Sequence, residues 1–210
     1  MISSEPFKHA VIDNFADAEV LDSIVAAWPQ RGWKTHDHPH CKNKRSLAKL
    51  DQMPEVAQRF ILELNQRPVL SKFSAMLGYE LIPDPHIVTE GSLWGGGLHE
   101  ISRDGFLHTH IDFNVHPSGV YRRANLLIYL NRDWTWGGDL QLWDEQKQEA
   151  SYIAPVFNRA VLFETSEKSW HGHPIPLGCP KNLTRKSIAI YYYSAKGEDV
   201  KPHSTIYLET

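Results

Sequence analysis

Residues 122–143, RRANLLIYLNRDWTWGGDLQLW, decide the fold class of this chain. Two runs rich in branched and aromatic residues, Arg122–Leu130 and Asp139–Trp143, lie on either side of Gly137-Gly138. Runs of this length and composition are typical of β-strands, and a glycine pair between them is typical of a turn. The segment therefore predicts two strands connected through Gly137-Gly138.

The same pattern extends in both directions from this segment. Further short runs of β-type composition, separated by glycine, proline and polar residues, are Leu93–Glu100, Phe106–Asp112, Ser151–Phe157, Arg159–Thr165, Ser169–Pro174 and Arg185–Tyr193. No helical periodicity lies between them. About eight short strands at this spacing favour a β-sandwich or jelly roll over βαβ units.

The first third of the chain has a helical pattern instead. Asp17 can cap a first helix that Pro29 ends, and a second helix is predicted to begin at Pro54. A third follows Pro68 and stops before Gly78. In each segment the apolar residues recur at the spacing that lets an amphipathic helix bury one side.

The length of the chain sets the number of domains. A chain of 210 residues can bury one sizeable core but is short for two domains. We predict a single domain over 1–210, with a helical flanking region over 1–80, a jelly-roll catalytic core over 81–196 and a C-terminal segment over 197–210.

Composition excludes several classes of function. The 22 basic and 25 acidic residues give a net charge of −3, so no basic field indicates a nucleic-acid partner. No apolar run approaches the ~18–20 residues of a membrane span, and MISSEPFKHAVID has no pattern that indicates secretion. Two cysteines, Cys41 and Cys179, are too few for a disulfide scaffold and favour a reducing, cytoplasmic location.

Twelve histidines are unusual for this length, and two motifs concentrate them. In the predicted strand Phe106–Asp112, His110 and Asp112 are two positions apart and therefore share a face. Imidazole and carboxylate together suit Fe(II), Mn(II) or Zn(II). The pair His108 and His110 is an alternative, which would leave Asp112 without a role.

A third ligand is available in the second motif, Ser169-Trp170-His171-Gly172-His173-Pro174. Here His171 and His173 share a face, so the pattern alone does not distinguish them. Either histidine, added to the first pair, completes the two-histidine, one-carboxylate set of non-haem iron oxygenases, which leaves coordination positions open.

An anion-binding pair follows on the last predicted strand. Arg185 and Ser187 share a face, and a guanidinium is the natural bidentate partner of a carboxylate. An inward arginine in a barrel is costly unless an anion meets it. A dicarboxylate that binds the metal at one end and Arg185 at the other would satisfy both groups.

Four segments together resemble a known family: GGGLHEISRDGFLHTHIDFN (95–114), RRANLLIYLNRDWTWGGDLQLWD (122–144), SWHGHP (169–174) and TRKSIAIYYYS (184–194). They are similar to the Fe(II)- and 2-oxoglutarate-dependent dioxygenases of the prolyl-4-hydroxylase-like type. The resemblance covers roughly Asp84 to Ser194. It implies a mainly-β double-stranded β-helix, or jelly roll, with flanking N-terminal helices.

The resemblance also implies roles for individual residues. The implied iron ligands are His110, Asp112 and His171, where the family's histidine–glycine pattern selects His171. The implied contacts to 2-oxoglutarate are Arg185, Ser187, Tyr129 and His99.

The implied activity is a hydroxylase that couples decarboxylation of 2-oxoglutarate, to succinate and CO2, with hydroxylation of a C–H bond. Its cofactors would be Fe(II), 2-oxoglutarate and O2, with ascorbate as a supporting reductant. Related halogenases have a small residue where Asp112 stands, so hydroxylation is the expected outcome. Many prolyl hydroxylases of the family carry lysine where Arg185 stands, so the resemblance does not assign proline as the substrate.

Other interpretations remain open from the sequence alone. The barrel could be a cupin-like metalloenzyme that does not use 2-oxoglutarate, or a non-catalytic jelly-roll binding protein. His36, His38 and His40 form either a polar loop or a substrate-contacting lid. His116 is expected to be exposed or near the pocket mouth. The pair Arg122 and Arg123 would either steer an anionic substrate or form surface ion pairs.

Overall fold

A computed structural model describes residues 2–197 and 200–208 of the protein. Antiparallel strands make up most of its regular structure, and helices cover one side. The helices are α1, Ala18–Ala26; α2, Glu55–Leu64; α3, Arg67–Leu77; and α4, Pro85–Glu90. No helix within the described ranges is both long enough and apolar enough to span a membrane.

The signals that predicted the first three helices act as expected. The Asp17 carboxylate accepts a hydrogen bond from the Glu19 amide at the start of α1. Pro54 immediately precedes α2, and Gly78 ends α3 in the left-handed conformation. The sequence did not predict α4, which Asp84 caps in the same way as Asp17 caps α1.

Eleven strands are found in the described residues. They are β1, His9–Ile12; β2, Lys34–His38; β3, Cys41–Leu47; β4, Gly97–Ile111; β5, Tyr121–Tyr129; β6, Leu140–Trp143; β7, Ala150–Ile153; β8, Ala160–Glu164; β9, His171–His173; β10, Thr184–Ser194; and β11, Ile206–Tyr207. Their order is β1-β8-β5-β10-β4-β9-β6-β7, and β3 and β11 also pair with β4. The mainly-β jelly-roll class predicted from the sequence is confirmed.

The two largest apolar clusters of the described residues form the layers of this fold. The larger lies between the helices and the outer face of the sheet, where Leu21, Ile61 and Leu77 pack in one cluster with Leu126 and Ile188. The smaller lies inside the barrel and is formed by Phe7, Tyr129, Leu140, Leu142, Ile153, Val161 and Phe163. The helices therefore support the sheet from outside, and the interior of the barrel is left for the cavity described below.

Strand β4 differs from the sequence-based prediction. Two separate strands, Leu93–Glu100 and Phe106–Asp112, were expected, and a single strand of 15 residues is found. Gly105 lies within it, where an added Cβ would come within 2.7 Å of the Ser102 carbonyl oxygen. The glycine therefore permits a local distortion of a continuous strand and does not end the strand.

The first third of the chain also contains strands that were not predicted. β1 pairs with β8, while β2 and β3 form a hairpin that adds to β4 through β3. The hairpin replaces the polar loop that was one interpretation of residues 35–41. The histidines of this segment thus lie on a sheet edge above the barrel.

Candidate active site

Strands β4 and β9 bring three predicted metal ligands together. His110 and His171 are directly paired across the two strands, and their ring centroids are 4.4 Å apart. The Asp112 carboxylate, just beyond β4, lies 3.6 Å from His110 Nε2 and 3.4 Å from His171 Nε2. Both rings are buried, so the three ligand atoms converge at one point inside the barrel.

The hydrogen bonds of the two rings fix which nitrogen faces that point. His110 Nδ1 lies 2.8 Å from the His108 carbonyl oxygen, and His171 Nδ1 lies 2.8 Å from the Ser169 carbonyl oxygen. A carbonyl only accepts, so each Nδ1 carries a proton and each Nε2, which faces Asp112, is the atom available to a metal. Two imidazoles and one carboxylate in this arrangement fit a divalent metal such as Fe(II).

Gly172 allows β9 to approach β4 closely enough for this arrangement. A Cβ at this position would lie 2.8 Å from the carbonyl oxygens of both Leu107 and His108. Any larger residue would therefore push β9 away from β4. The glycine of the Ser169–Pro174 motif thus sets the separation of His110 and His171.

A buried network holds the Asp112 carboxylate. Its Oδ2 accepts a hydrogen bond of 2.8 Å from Asn125 and an ion pair of 2.9 Å from Arg122. The Arg122 guanidinium lies between two aromatic rings, 3.4 Å from the Tyr191 centroid and 4.6 Å from that of Phe113. Burial alone would raise the pKa of Asp112, but Arg122 and the two histidines hold it well below its usual range.

Arg122 is the functional residue that the sequence did not reveal. Arg122 neither forms a surface ion pair nor is placed to steer an anionic substrate, the two roles expected from the sequence. Only 3% of the residue is exposed, and its guanidinium is paired with Asp112. The neighbouring Arg123 places its guanidinium 4.7 Å from the Tyr79 ring centroid. Alternation along β5 gives the two arginines different faces, and this was the one available signal.

The three ligands open into a cavity of about 210 Å³. Arg185 lines it from β10, donates a hydrogen bond to the Gly138 carbonyl and lies 5.7 Å from the Tyr129 ring centroid. Its Nε is buried and has no hydrogen-bond partner. A buried guanidinium with unused donors fits an anionic ligand.

The other predicted co-substrate contacts lie in one row beside Arg185. Ser187 is directly paired with Tyr129 of β5 on one side and with His99 of β4 on the other. All three line the cavity, and His99 Nε2 is buried without a partner. Burial, together with the charge of Lys44, lowers the pKa of His99 well below its usual value, so this ring is neutral.

The alternative ligands lie outside the cluster. His173 is two residues past His171 but pairs with Leu107, and neither of its ring nitrogens has a hydrogen-bond partner. The β4–β9 register shifts between Leu107 and His110, so His108 does not face the cavity as a regular strand would require. Its ring contacts His40 instead.

His116 is buried, and the prediction that it is exposed or near the pocket mouth is wrong. Only 1% of the residue is exposed. Its Nε2 lies 2.6 Å from His86 Nδ1 and 3.4 Å from Asp84 Oδ1, in a second cluster of two histidines and one aspartate. The chain bends back after Asp112 and carries this ring toward α4.

Comparison with known proteins agrees with this geometry. Residues 96–193 match the model of the 2OG-Fe(II) oxygenase superfamily. The match covers 98 of the 210 residues, so the likeness is established for this segment. It contains every residue predicted to contact iron or 2-oxoglutarate, and its resemblance is to the prolyl-4-hydroxylase-like type. The family implies Fe(II), 2-oxoglutarate and O2 as cofactors.

Individual relatives extend the likeness. Egl nine homolog 1 of Rattus norvegicus is 30% identical over 89 residues, which are 41% of this chain and 24% of the relative. The chain thus corresponds to about a quarter of that curated relative.

Solved structures share the double-stranded β-helix fold. A prolyl hydroxylase of Trichoplax adhaerens, in complex with a peptide fragment of hypoxia inducible factor, has a TM-score of 0.63 at 18% identity, over 88% of this chain and 83% of that one. HygX of Streptomyces hygroscopicus, with nickel, 2-oxoglutarate and hygromycin B bound, has a TM-score of 0.58 at 12% identity, over 96% and 92%.

Proposed function

We propose that this protein is an Fe(II)- and 2-oxoglutarate-dependent hydroxylase in which His110, Asp112 and His171 bind the metal. The observation that carries this proposal is the set of three ligand atoms with both Nε2 atoms facing one carboxylate, inside a cavity that also contains Arg185. A structural histidine cluster would not need an arginine with unused donors beside it.

Backbone carbonyls and two side chains orient the three proposed metal ligands. The backbone carbonyls of His108 and Ser169 keep the two imidazoles in the ligating tautomer. Asn125 and Arg122 occupy Asp112 Oδ2. The arrangement leaves Oδ1 for the metal and keeps the carboxylate from rotating.

The far carboxylate of 2-oxoglutarate would meet Arg185, with Ser187, Tyr129 and His99 as further polar contacts. Burial strengthens these contacts because water does not compete for the carboxylate. When bound, Fe(II) supplies the oxidative chemistry that couples decarboxylation of 2-oxoglutarate to hydroxylation of a C–H bond, which no side chain of the protein provides.

The prime substrate is not given by the fold. The two structural neighbours described above bind a peptide and an aminoglycoside in the same architecture. A proline residue, a free amino acid and a natural product are all compatible with the geometry of the metal site. Specificity belongs to the residues around the mouth of the cavity.

The test is formation of succinate from 2-oxoglutarate by the purified protein with Fe(II) and ascorbate. Arg185→Ala should weaken binding of 2-oxoglutarate by about two orders of magnitude, because charge-assisted hydrogen bonds contribute about 1.5–3 kcal/mol each. The matched control is Arg132→Ala, since Arg132 is exposed and pairs with Asp22 far from the cavity.

The two alternative functions, a cupin-like metalloenzyme and a non-catalytic binding protein, predict different results in these assays. A cupin-like enzyme would keep its activity without 2-oxoglutarate, and a non-catalytic barrel would bind no stoichiometric iron. Equal affinity of wild type and Arg185→Ala for 2-oxoglutarate would overturn the assignment of Arg185.

A further inference from the structure

Lys44 is a second cation inside the cavity that the proposed reaction does not use. It lies on β3, where it pairs with Ile101 of β4, and Ile101 pairs in turn with Arg185 of β10. All three residues line the cavity. Lys44 and Arg185 therefore lie in one row across three strands, about 10 Å apart at the backbone by the usual strand spacing.

Within the described residues the Lys44 ammonium group makes no hydrogen bond and no ion pair, whereas Arg122 is paired with Asp112. Burial lowers the pKa of Lys44 from its usual value. Lys44 is half-buried at the cavity wall, and its ammonium group has three donors that no side chain of the described residues uses. An anion bound in the cavity could therefore accept from it.

A count of the charges shows that binding of the metal and 2-oxoglutarate would leave an excess of positive charge in the cavity. Arg122 balances Asp112, and the dianionic co-substrate balances a divalent metal. Two positive charges, those of Arg185 and Lys44, then remain in the cavity. Arg185 has a proposed partner, the far carboxylate of 2-oxoglutarate, whereas no ligand group has been proposed to bind Lys44.

Two strand steps separate Lys44 from Arg185, and Lys44 lies outside the row of the other three predicted co-substrate contacts. Ser187, Tyr129 and His99 are contiguous neighbours across β5, β10 and β4, whereas Lys44 lies one strand further out, on the hairpin. Lys44 lines the same cavity as the three candidate metal ligands, and it does so from β3, on the other side of β4 from Arg185.

We propose that Lys44 binds an acidic group, a carboxylate or a phosphate, of the prime substrate, and that this enzyme hydroxylates an anionic substrate close to that group. The proposal rests on the proposed function of the site. It adds a substrate class, because a neutral substrate would leave the Lys44 ammonium without an anionic partner in the cavity.

The experiment uses the full chain loaded with Mn(II) and 2-oxoglutarate without oxygen, titrated with inorganic phosphate and, separately, with acetate in a calorimeter. The loaded wild type should bind at least one of the two anions. Lys44→Met should bind it at least tenfold more weakly, because a charge-assisted hydrogen bond contributes about 1.5–3 kcal/mol. Lys44→Arg should retain it, and a preference for phosphate or acetate distinguishes the two acid classes.

The matched control is Lys42→Met, since Lys42 is an exposed lysine on the same strand. It should bind 2-oxoglutarate and the anion as the wild type does. Lys44→Met should also bind 2-oxoglutarate normally, and a loss as large as that of Arg185→Ala would overturn the proposal by making Lys44 a co-substrate contact.

Two further results would overturn it: anion binding by Lys44→Met equal to that of wild type, or no binding of either anion by the loaded wild type. Failure of the proposed function is a separate result. In that case the metal-loaded wild type would not bind 2-oxoglutarate at all.

Discussion

Two buried clusters in this protein contain the same residue types, and their hydrogen bonds give them opposite chemistry. The metal-site cluster consists of His110, Asp112 and His171, and the hydrogen-bonded cluster consists of Asp84, His86 and His116. In both, the ligand atoms lie within 4.8 Å of one another. Residue identity and distance therefore do not distinguish them.

The hydrogen-bond partners of the imidazole rings distinguish the two clusters. In the metal-site cluster, carbonyl oxygens accept from both Nδ1 atoms, and both Nε2 atoms face the Asp112 carboxylate. In the hydrogen-bonded cluster, the Ser118 amide donates to His116 Nδ1 at 3.0 Å, so His116 Nε2 carries the proton. That proton is donated to His86 Nδ1 at 2.6 Å.

The remaining groups of the hydrogen-bonded cluster are also occupied. His86 Nε2 lies 3.1 Å from the Glu90 carboxylate, and the two Asp84 oxygens accept from the amides of His86 and Trp94. Both imidazole lone pairs are therefore used inside the cluster, by the Ser118 amide and by His116 Nε2–H. The cluster fastens α4 to the turn after β4, whereas the backbone carbonyls behind His110 and His171 leave Nε2 of both rings facing one carboxylate.

The largest effect expected from this comparison is on metal content. Asp112→Asn should abolish stoichiometric binding of Fe(II) or Mn(II), a loss of at least about a thousandfold, because it removes the single charged ligand. Asp84→Asn should leave one ion per chain. Metal analysis after desalting measures both, and a fall from two ions to one with Asp84→Asn would contradict the assignment of the hydrogen-bonded cluster.

A smaller effect is expected from the residue that supports Asp112. Arg122→Met keeps an apolar stem between Tyr191 and Phe113 but removes the ion pair, so metal affinity should fall about 10–100-fold, as is typical of partners that orient a ligand. Mn(II) titration measures this affinity. Arg123→Met on the same strand is the control, and an equal loss in both variants would show a general effect on β5.

The smallest effect is expected from the hydrogen-bonded cluster, and it is on stability. His116→Ala should lower the free energy of unfolding of the metal-free protein by about 1–3 kcal/mol, since its buried partners lose their hydrogen bonds. His38→Ala, at an exposed position, should change it by less than about 0.5 kcal/mol. Urea unfolding measures both values.

The same urea unfolding measurement in the presence of Mn(II) tests whether His116 takes part in binding a metal. Mn(II) should stabilise His116→Ala and wild type by the same increment, because ligand binding to the folded state sets that increment. A smaller increment for His116→Ala would mean that His116 takes part in holding the ion.

The sequence predicted those parts of the molecule that local rules control. The helix ends at Asp17, Pro54 and Gly78 follow from capping and backbone geometry, which act within a few residues. Strands β5 to β10 overlap their predicted ranges for the same reason, whereas β11 was not predicted. His110, Asp112 and His171 were predicted as one set because their motifs match those of a family, and the structure brings their ligand atoms together.

What the sequence did not predict depends on contacts between distant segments. The polar β2–β3 hairpin has no alternation of apolar residues, and it is a strand pair only because β4 offers an edge. Burial of His116 requires α4, 30 residues earlier in the chain. The role of Arg122 requires the start of β5 to lie against the segment that follows β4, where the Arg122 amide donates to the Asn114 carbonyl, and no local pattern in Arg122–Arg123 indicates this.

The choice between His171 and His173 shows the same limit. Both share a face in the sequence pattern, and the register of β9 against β4 decides between them. That register depends on Gly172, whose close approach to Leu107 and His108 is visible only once the two strands are paired.

Strand β4 also determines when in folding a metal can bind. It carries His99 and His110, and it pairs with β3, β9, β10 and β11, which come from both ends of the chain. Pairings of such long sequence separation form slowly and late. The ligand set therefore exists only in the nearly folded chain, so a metal cannot template this fold as zinc templates a zinc finger. Selection among divalent ions falls to the finished cavity, where ligand type and shape decide.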